Sequence, residues 1–292
     1  MEKRPTAIIM QGGAMRGAFA AGVLYEFGSR GFYPDVIAAA SSSVPTAAYY
    51  VAHQIEDMRA IWTKEVTTDR FIRYDNMLLG KPIYDIDFLI NTIFKKKRPL
   101  SLNAMRASRT RMVVPLYNYV VKRLESRTSA DPEFIDHMWE YLHLAMIIHD
   151  QHILRGTPFE PYVDGALDPF ALYKLPIIPK GARVVVIWNE PKFNMHTIKY
   201  LGQKLFVLFQ ARNFPAEVRR MLKTRKKLIE EGVAIYNGFC KLYSPVVIKP
   251  NSIFFAGMDV VSRGEAHLSG LLEEGRQKAC AAIDNGILKD FL

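Results

Sequence analysis

The first fifty residues repeat one local pattern, and that pattern limits the fold more than any other feature of the chain. TAIIM (6–10) is a short, continuous apolar run suited to a buried strand, and QGGAMRG (11–17) is a glycine-rich turn. After it, Phe19, Val23 and Phe27 recur at helical spacing toward a stop near Gly31. DVIAAA (35–40) reads as a second strand, the serines after it as a second tight turn, and PTAAYYVAHQ (45–54) as a second helix. Strand, turn and helix in this alternation predict a mainly parallel sheet covered by helices on both faces. Right-handed crossovers then put both tight turns at the carboxyl edge of the sheet, where α/β proteins bind ligands.

Further strand material lies in TRMVVPLYNYVV (110–121) and ARVVVIWN (182–189), and FIDHMWEYLHLAMII (134–148) is helical in pattern. PYVDGALDP (161–169) is a short extended run ending in an Asp-Gly turn. Two helices are expected next. In TIKYLGQKLFVLFQAR, Ile198, Leu201, Leu205 and Leu208 form one stripe, and PAEVRRMLKTRKKLIEEG (215–232) begins with proline and ends with glycine. A last helix runs from about Glu265 toward Leu292. The expected organisation is an α/β unit over 1–190 and a basic, mainly helical C-terminal extension over 191–292 packed on it.

With 292 residues, 49% of them hydrophobic, the chain fills a substantial core. No apolar run approaches the roughly 20 residues of a membrane span. The basic start is followed by an apolar patch that Gln11, two glycines and Arg16 interrupt, so it does not read as a secretion signal. Cys240 and Cys280 are too few for a disulfide framework, and no Cys/His spacing suggests a metal. A reduced cytoplasmic protein is the expectation. The net charge of +10 is concentrated. Residues 199–227 hold nine Lys/Arg and one acid, Glu217, and a second basic cluster occupies Lys95 to Arg98. Charge so placed points to an anionic partner, a membrane surface or nucleic acid. No nucleic-acid-binding motif accompanies it, which disfavours the second. An amphipathic helix packed on the core with a solvated basic face explains the stretch equally well.

Three uses of the glycine turn stand open. Its N–H groups converge at a helix N-terminus, which suits an anion. A dinucleotide fold wants G-x-G-x-x-G, and with Gly12 and Gly17 as the outer pair the middle position is Ala14, although Asp35 falls near where a ribose-binding acid belongs. The N–H groups suit an oxyanion in acyl transfer equally, and the turn can also serve only to close a strand–helix unit. The second turn, AAASSSVP (38–45), offers three serines. A nucleophile elbow requires small residues two before and two after its serine. Framed on Ser41 these are Ala39 and Ser43; on Ser42, Ala40 and Val44; on Ser43, Ser41 and Pro45. Size favours Ser41, with a turn of small residues and serine N-caps as the competing use. A base for it must come from the seven histidines, of which His143, His149 and His152 cluster, or from Asp164 in YVDGA.

Taken in order, QGGAMRG after a first strand, serine after the next and YVDGA ahead of a further strand make the chain resemble the patatin-like phospholipase family, in its bacterial branch with a basic helical C-terminal extension. The likeness runs from about Thr6 to Asp168. Members share a GGGxRG loop, a GxSxG elbow and a DGG/DGA motif on a three-layer α/β/α fold, and hydrolyse lipid acyl esters with a Ser–Asp dyad. The resemblance implies Ser41 as nucleophile and Asp164 as base. It implies an oxyanion hole from Gly12, Gly13, Ala14 and the N–H of Ser42, and gives Arg16 either a substrate-binding or a loop-bracing part. It implies no metal and no cofactor, a lipid or other acyl-ester substrate in lipid degradation, and peripheral attachment to an anionic membrane through the basic helices of 199–227. Ala14, Ala39 and Ser43 stand where the family has glycine. A patatin-like lipid-binding protein with impaired catalysis is therefore the alternative, and a Rossmann nucleotide-binding protein a more distant one.

Overall fold

A computed structural model describes residues 4–79, 81–146, 154–190, 214–251, 262–289 and 291. Seven strands form one sheet: β1 (Thr6–Met10), β2 (Val36–Ala39), β3 (Arg111–Asn118), β4 (Arg123–Thr128), β5 (Tyr162–Asp164), β6 (Arg183–Ile187) and β7 (Val246–Ile248). Their order is β4-β3-β2-β1-β6-β7, with β5 also paired to β3. The pairs β1–β2, β2–β3, β1–β6 and β6–β7 are parallel, and β4 and β5 run antiparallel to β3. Helix α1 (Gly17–Ser29) leaves the first tight turn and α2 (Ser43–Val51) the second.

The near-continuous apolar strands are explained by burial on both faces. Along β1, Ile8 and Met10 point into one core while Ala7 and Ile9 point into another, and β2 divides likewise into Ile37 and Ala39 against Val36 and Ala38. The first core is covered by α1, α2 and a C-terminal helix, Glu265–Asp284; the second by the helix Arg225–Tyr243 with Phe170, Tyr173 and Trp188. This is the three-layer α/β/α arrangement with C-terminal helices.

Two of these helices differ from their sequence pattern. The basic segment expected over 215–232 is two helices, Ala216–Lys223 and Arg225–Tyr243, with Thr224 between them. Gly232 does not end the second. A Cβ there would fall 2.0 Å from Phe170 Cδ2, so the glycine is a contact point where the helix presses on the Phe170 ring. The last helix stops at Asp284, ahead of Gly286 at φ 71°. The helix expected over 197–212 lies outside the described residues.

Helix Glu265–Asp284 crosses α1 at backbone distance. A Cβ on Gly22 would sit 1.8 Å from the Leu272 carbonyl oxygen, and one on Gly275 2.1 Å from that of Phe19. Only paired glycines allow two helices to pack this closely.

Candidate active site

The site is built where β2 ends and β5 arrives. β2 pairs with β3 as far as Ala38 opposite Val113, and β5 pairs with it from Tyr162 opposite Asn118 down to Asp164 opposite Leu116. Since β4 fills the other edge of β3, β2 and β5 share one edge and run toward each other along it. Pro115 lies in the gap between them, a place where a residue without an N–H is tolerated. Gly165 passes so close that a Cβ would fall 2.6 Å from the Pro115 carbonyl oxygen. Residues 123 positions apart in sequence, 41 and 164, are thereby brought to one point.

Ser41 holds φ at 54°, the left-handed conformation that a non-glycine residue adopts only where the surroundings impose it. This is the strained geometry of a nucleophile elbow, and of the three serines Ser41 alone has it. Ser43 is fully buried and its hydroxyl donates to the Gln11 carbonyl at 2.7 Å. Ser42 Oγ is buried without a partner. The glycine loop runs directly over Ser41: a Cβ on Gly12 would lie 2.5 Å from Ser41 Cβ and 3.3 Å from its Oγ. Ala14 has φ 50°, so its methyl occupies a position that glycine suits better. Among the described residues, the N–H groups of Gly12, Gly13, Ala14 and Ser42 donate to no protein acceptor. Backbone donors left unpaired beside a serine hydroxyl are equipped to hold an oxyanion.

Asp164 is wholly buried, and burial pushes its carboxyl up to about 7. The Ala166 N–H, the Ser41 hydroxyl, the Ser41 N–H and the charge of Arg225 oppose that rise. Oδ1 accepts from Ala166 N at 2.8 Å. Oδ2 has no well-aligned hydrogen bond, so the Ser41 hydroxyl acts on the carboxyl without yet being directed at it, a common condition before substrate binds. A carboxyl poised near neutrality next to a strained serine can take that serine's proton.

Among the described residues, the titratable group recorded against Ser41 is Asp164, not a histidine. His143 Nδ1 donates to the Trp139 carbonyl at 2.9 Å and Nε2 lies 3.5 Å from Asp87, away from Ser41, while His149 and His152 fall outside the described residues. Asp35 accepts from the Thr6 N–H at 2.7 Å and hydroxyl at 2.9 Å at the amino edge of the sheet, opposite the glycine turn. The nucleotide reading loses its acid there. Arg16 is buried, ion-paired with Glu190 at 2.6 Å and turned back on the Gly13 carbonyl, so it braces the loop.

One residue of this construction carries no sequence signal. Asn189, just past β6, donates from Nδ2 to the Gln11 carbonyl at 2.6 Å and to Ser43 Oγ at 3.3 Å. With Ser43 it fastens the start of the glycine loop to the start of α2, so the hydroxyl at 43 has work that a glycine could not do.

Ser41, Ser42, Ala14 and Met15 open into a largely apolar cavity whose walls include Met58, Trp62, Phe71, Leu89 and Phe94. Two of its polar groups are engaged: Trp62 Nε1 donates to Thr46 Oγ1 at 3.0 Å, and the Tyr49 hydroxyl to the Arg98 carbonyl. Part of the wall is wound as π-helix, over Ile61–Glu65 and Leu89–Lys97, a rare geometry. Glu65, buried between Lys97 at 2.6 Å and Arg98 at 3.4 Å, ties the two segments together.

A family model described as Patatin-like phospholipase matches residues 8–170. Among solved structures, VipD from Legionella pneumophila aligns at 10% identity and a TM-score of 0.41, over 97% of this chain and 67% of that one. No curated protein matches the chain.

Proposed function

From the premise that the chain belongs to the patatin-like phospholipase family, we propose that it is a serine acyl hydrolase cleaving acyl esters of phospholipids or related lipids through Ser41 and Asp164. The observation that carries this reading is the strained Ser41, at φ 54°, beside a buried carboxyl raised to about 7 and unpaired N–H groups, at the mouth of an apolar cavity. The cavity suits an acyl chain, which would bury its methylenes there at roughly 0.8 kcal/mol each.

In the proposed reaction Asp164 accepts the Ser41 proton as Oγ attacks the ester carbonyl carbon. The carbonyl oxygen becomes an oxyanion held by N–H groups of the Gly12–Ala14 loop and Ser42. On collapse the C–O bond to the alcohol breaks, and the alcohol leaves with the proton from Asp164. Water then attacks the acyl-Ser41 ester with Asp164 again as base, releasing the fatty acid and restoring the hydroxyl. Arg16, committed to Glu190, keeps the loop in shape rather than binding substrate. Exposed Arg219, Arg220, Lys223, Lys226 and Lys227 on the two basic helices supply charge toward an anionic lipid surface; the part of the basic stretch from 199 to 213 lies outside the described residues.

A second reading, lipid binding without turnover, is favoured by Ala14 at φ 50°, where a side chain adds strain to the donor loop. Labelling with a fluorophosphonate followed by peptide mapping, together with turnover of a nitrophenyl ester, separates the two. Label on Ser41 and turnover support hydrolysis; no label and no turnover of any acyl ester support binding alone; label on Ser42 or Ser43 refutes the assignment of the nucleophile.

A further inference from the structure

The turn joining β3 to β4 is built against the usual chemistry of turns. Its residues, Tyr119-Val120-Val121-Lys122, put two β-branched aliphatic side chains at a tip where polar or glycine residues are expected. Val120 is 66% and Val121 59% exposed. The turn is nevertheless held by hydrogen bonds: Asn118 Oδ1 accepts from the N–H of Val120 at 3.1 Å and of Val121 at 3.2 Å, and Tyr119 N donates to the Pro161 carbonyl at 2.9 Å. A scattered exposed valine needs no account; an ordered adjacent pair at a protruding tip does.

Cations surround the pair. Lys122 is 63% and Arg123 71% exposed, and Lys122 lies 3.8 Å from Glu217, which also pairs with exposed Arg220. The hairpin thus abuts the helix Ala216–Lys223, whose Arg219 and Lys223 are exposed as well. Of the acids nearby, Glu217 and Glu125 are the more buried members of their pairs, while exposed Glu160 acts on Tyr119 together with Arg155. The tip is also on the side of the site. β3 runs parallel to β1 and β2, so its end lies at the same sheet edge as the glycine loop and Ser41. Val120 is four residues past Leu116, the partner of Asp164, two of them in the strand and two in the turn, so it lies at most about 13 Å beyond Leu116 at roughly 3.3 Å per residue.

We propose that the β3–β4 tip is an interfacial anchor: Val120 and Val121 enter the acyl boundary of an anionic bilayer while Lys122, Arg123 and the adjoining helix hold its headgroups. Apolar side chains to bury, ringed by positive charge, match the two layers of such a surface, acyl chains beneath negative headgroups. A second copy of this chain would bring the same cations against themselves, which argues against self-association. The inference rests on the acyl-lipid reading only for the reason a bilayer is approached, and its test is independent of turnover.

The test is flotation of the full chain with phosphatidylcholine vesicles, with and without phosphatidylserine. The wild type is expected to float with the phosphatidylserine vesicles and to be released in high salt. Val120→Asp/Val121→Asp and Lys122→Glu/Arg123→Glu each weaken partitioning by about tenfold or more, Val120→Leu/Val121→Leu does not weaken it, and all keep wild-type turnover of nitrophenyl acetate. Flotation of the aspartate variant equal to wild type overturns the proposal. So does light scattering that finds a wild-type dimer which the aspartate variant converts to monomer. Vesicle binding through the tip by a protein that turns over no ester sustains the anchor and removes the hydrolase reading instead.

Discussion

Ser41 and Asp164 meet across Pro115 because a parallel and an antiparallel strand end against each other on one edge of β3. Neither side chain is carried by a flexible loop. The serine follows a strand by two residues, and the aspartate is the last residue of a strand. Their relative position is therefore as fixed as the sheet itself, the condition for a proton to pass between them in a reproducible geometry.

Ser41→Ala is expected to lower ester turnover by about a thousandfold or more and to abolish fluorophosphonate labelling, with the protein still folded. Ser43→Ala is expected to keep the label and lose stability, by about 1 kcal/mol, because the Gln11 carbonyl loses one of its two donors. Mass spectrometry of the labelled peptide and thermal melts give the two readouts.

The proposed base sets a pH profile. kcat/KM for a soluble ester is expected to rise with pH through an apparent pKa near 7, since Asp164 must be ionised to accept a proton. Stability moves the other way. The folded carboxyl, raised from 3.8 to about 7, binds its proton more tightly than the unfolded chain does. Its contribution to folding is thus most favourable below about pH 4 and is lost as pH rises toward 7. Asp164→Asn keeps an acceptor for the Ala166 N–H and removes the buried charge. It is expected to be inactive and, at pH 8, more stable than wild type by roughly 1–3 kcal/mol, which urea unfolding at pH 5 and 8 measures.

The loop tolerates change in one direction only. Gly12→Ala sets a methyl 2.5 Å from Ser41 Cβ and is expected to reduce turnover at least about a hundredfold. Ala14→Gly relieves a left-handed φ of 50° and is expected to raise stability by about 1 kcal/mol without lowering kcat. A loss of kcat in the second variant would show that the Ala14 methyl shapes the oxyanion site rather than straining it.

The cavity predicts chain-length selectivity. Val66→Phe fills part of it, and kcat/KM is expected to fall about tenfold for long-chain esters while acetyl esters are unaffected. A parallel series of nitrophenyl esters of increasing length reads this directly.

The frame of the site was legible because it is made of local signals: an apolar run, a glycine turn, a helix stripe, then the same again. Residue size singles out Ser41 among the three serines in the sequence, and it is Ser41 that holds the left-handed φ of 54°. Asp164 was readable as Asp-Gly after a strand, but its opposition to Leu116 was not, since strand direction and partner depend on what β3 leaves open. Nor were the parts of the site that exist only in three dimensions. Asn189 looks like any residue past a strand, and the cavity wall is gathered from short separate segments, two of them π-helical and so outside the usual helical period. Gly232 misled in the opposite way: its role is a contact with Phe170, and sequence alone reads a glycine after a helical run as an ending.

The crossing of Gly22 with Leu272 and of Gly275 with Phe19 has a practical consequence for anyone seeking a minimal version of this protein. The helix whose first turn receives the glycine loop is clamped, main chain to main chain, by a segment encoded some 250 codons downstream. A version trimmed after the last recognisable motif would strip a seam of bare carbonyls and glycine backbone from α1 and leave the loop's support exposed to water. The final helix is better regarded as a keystone than as a tail.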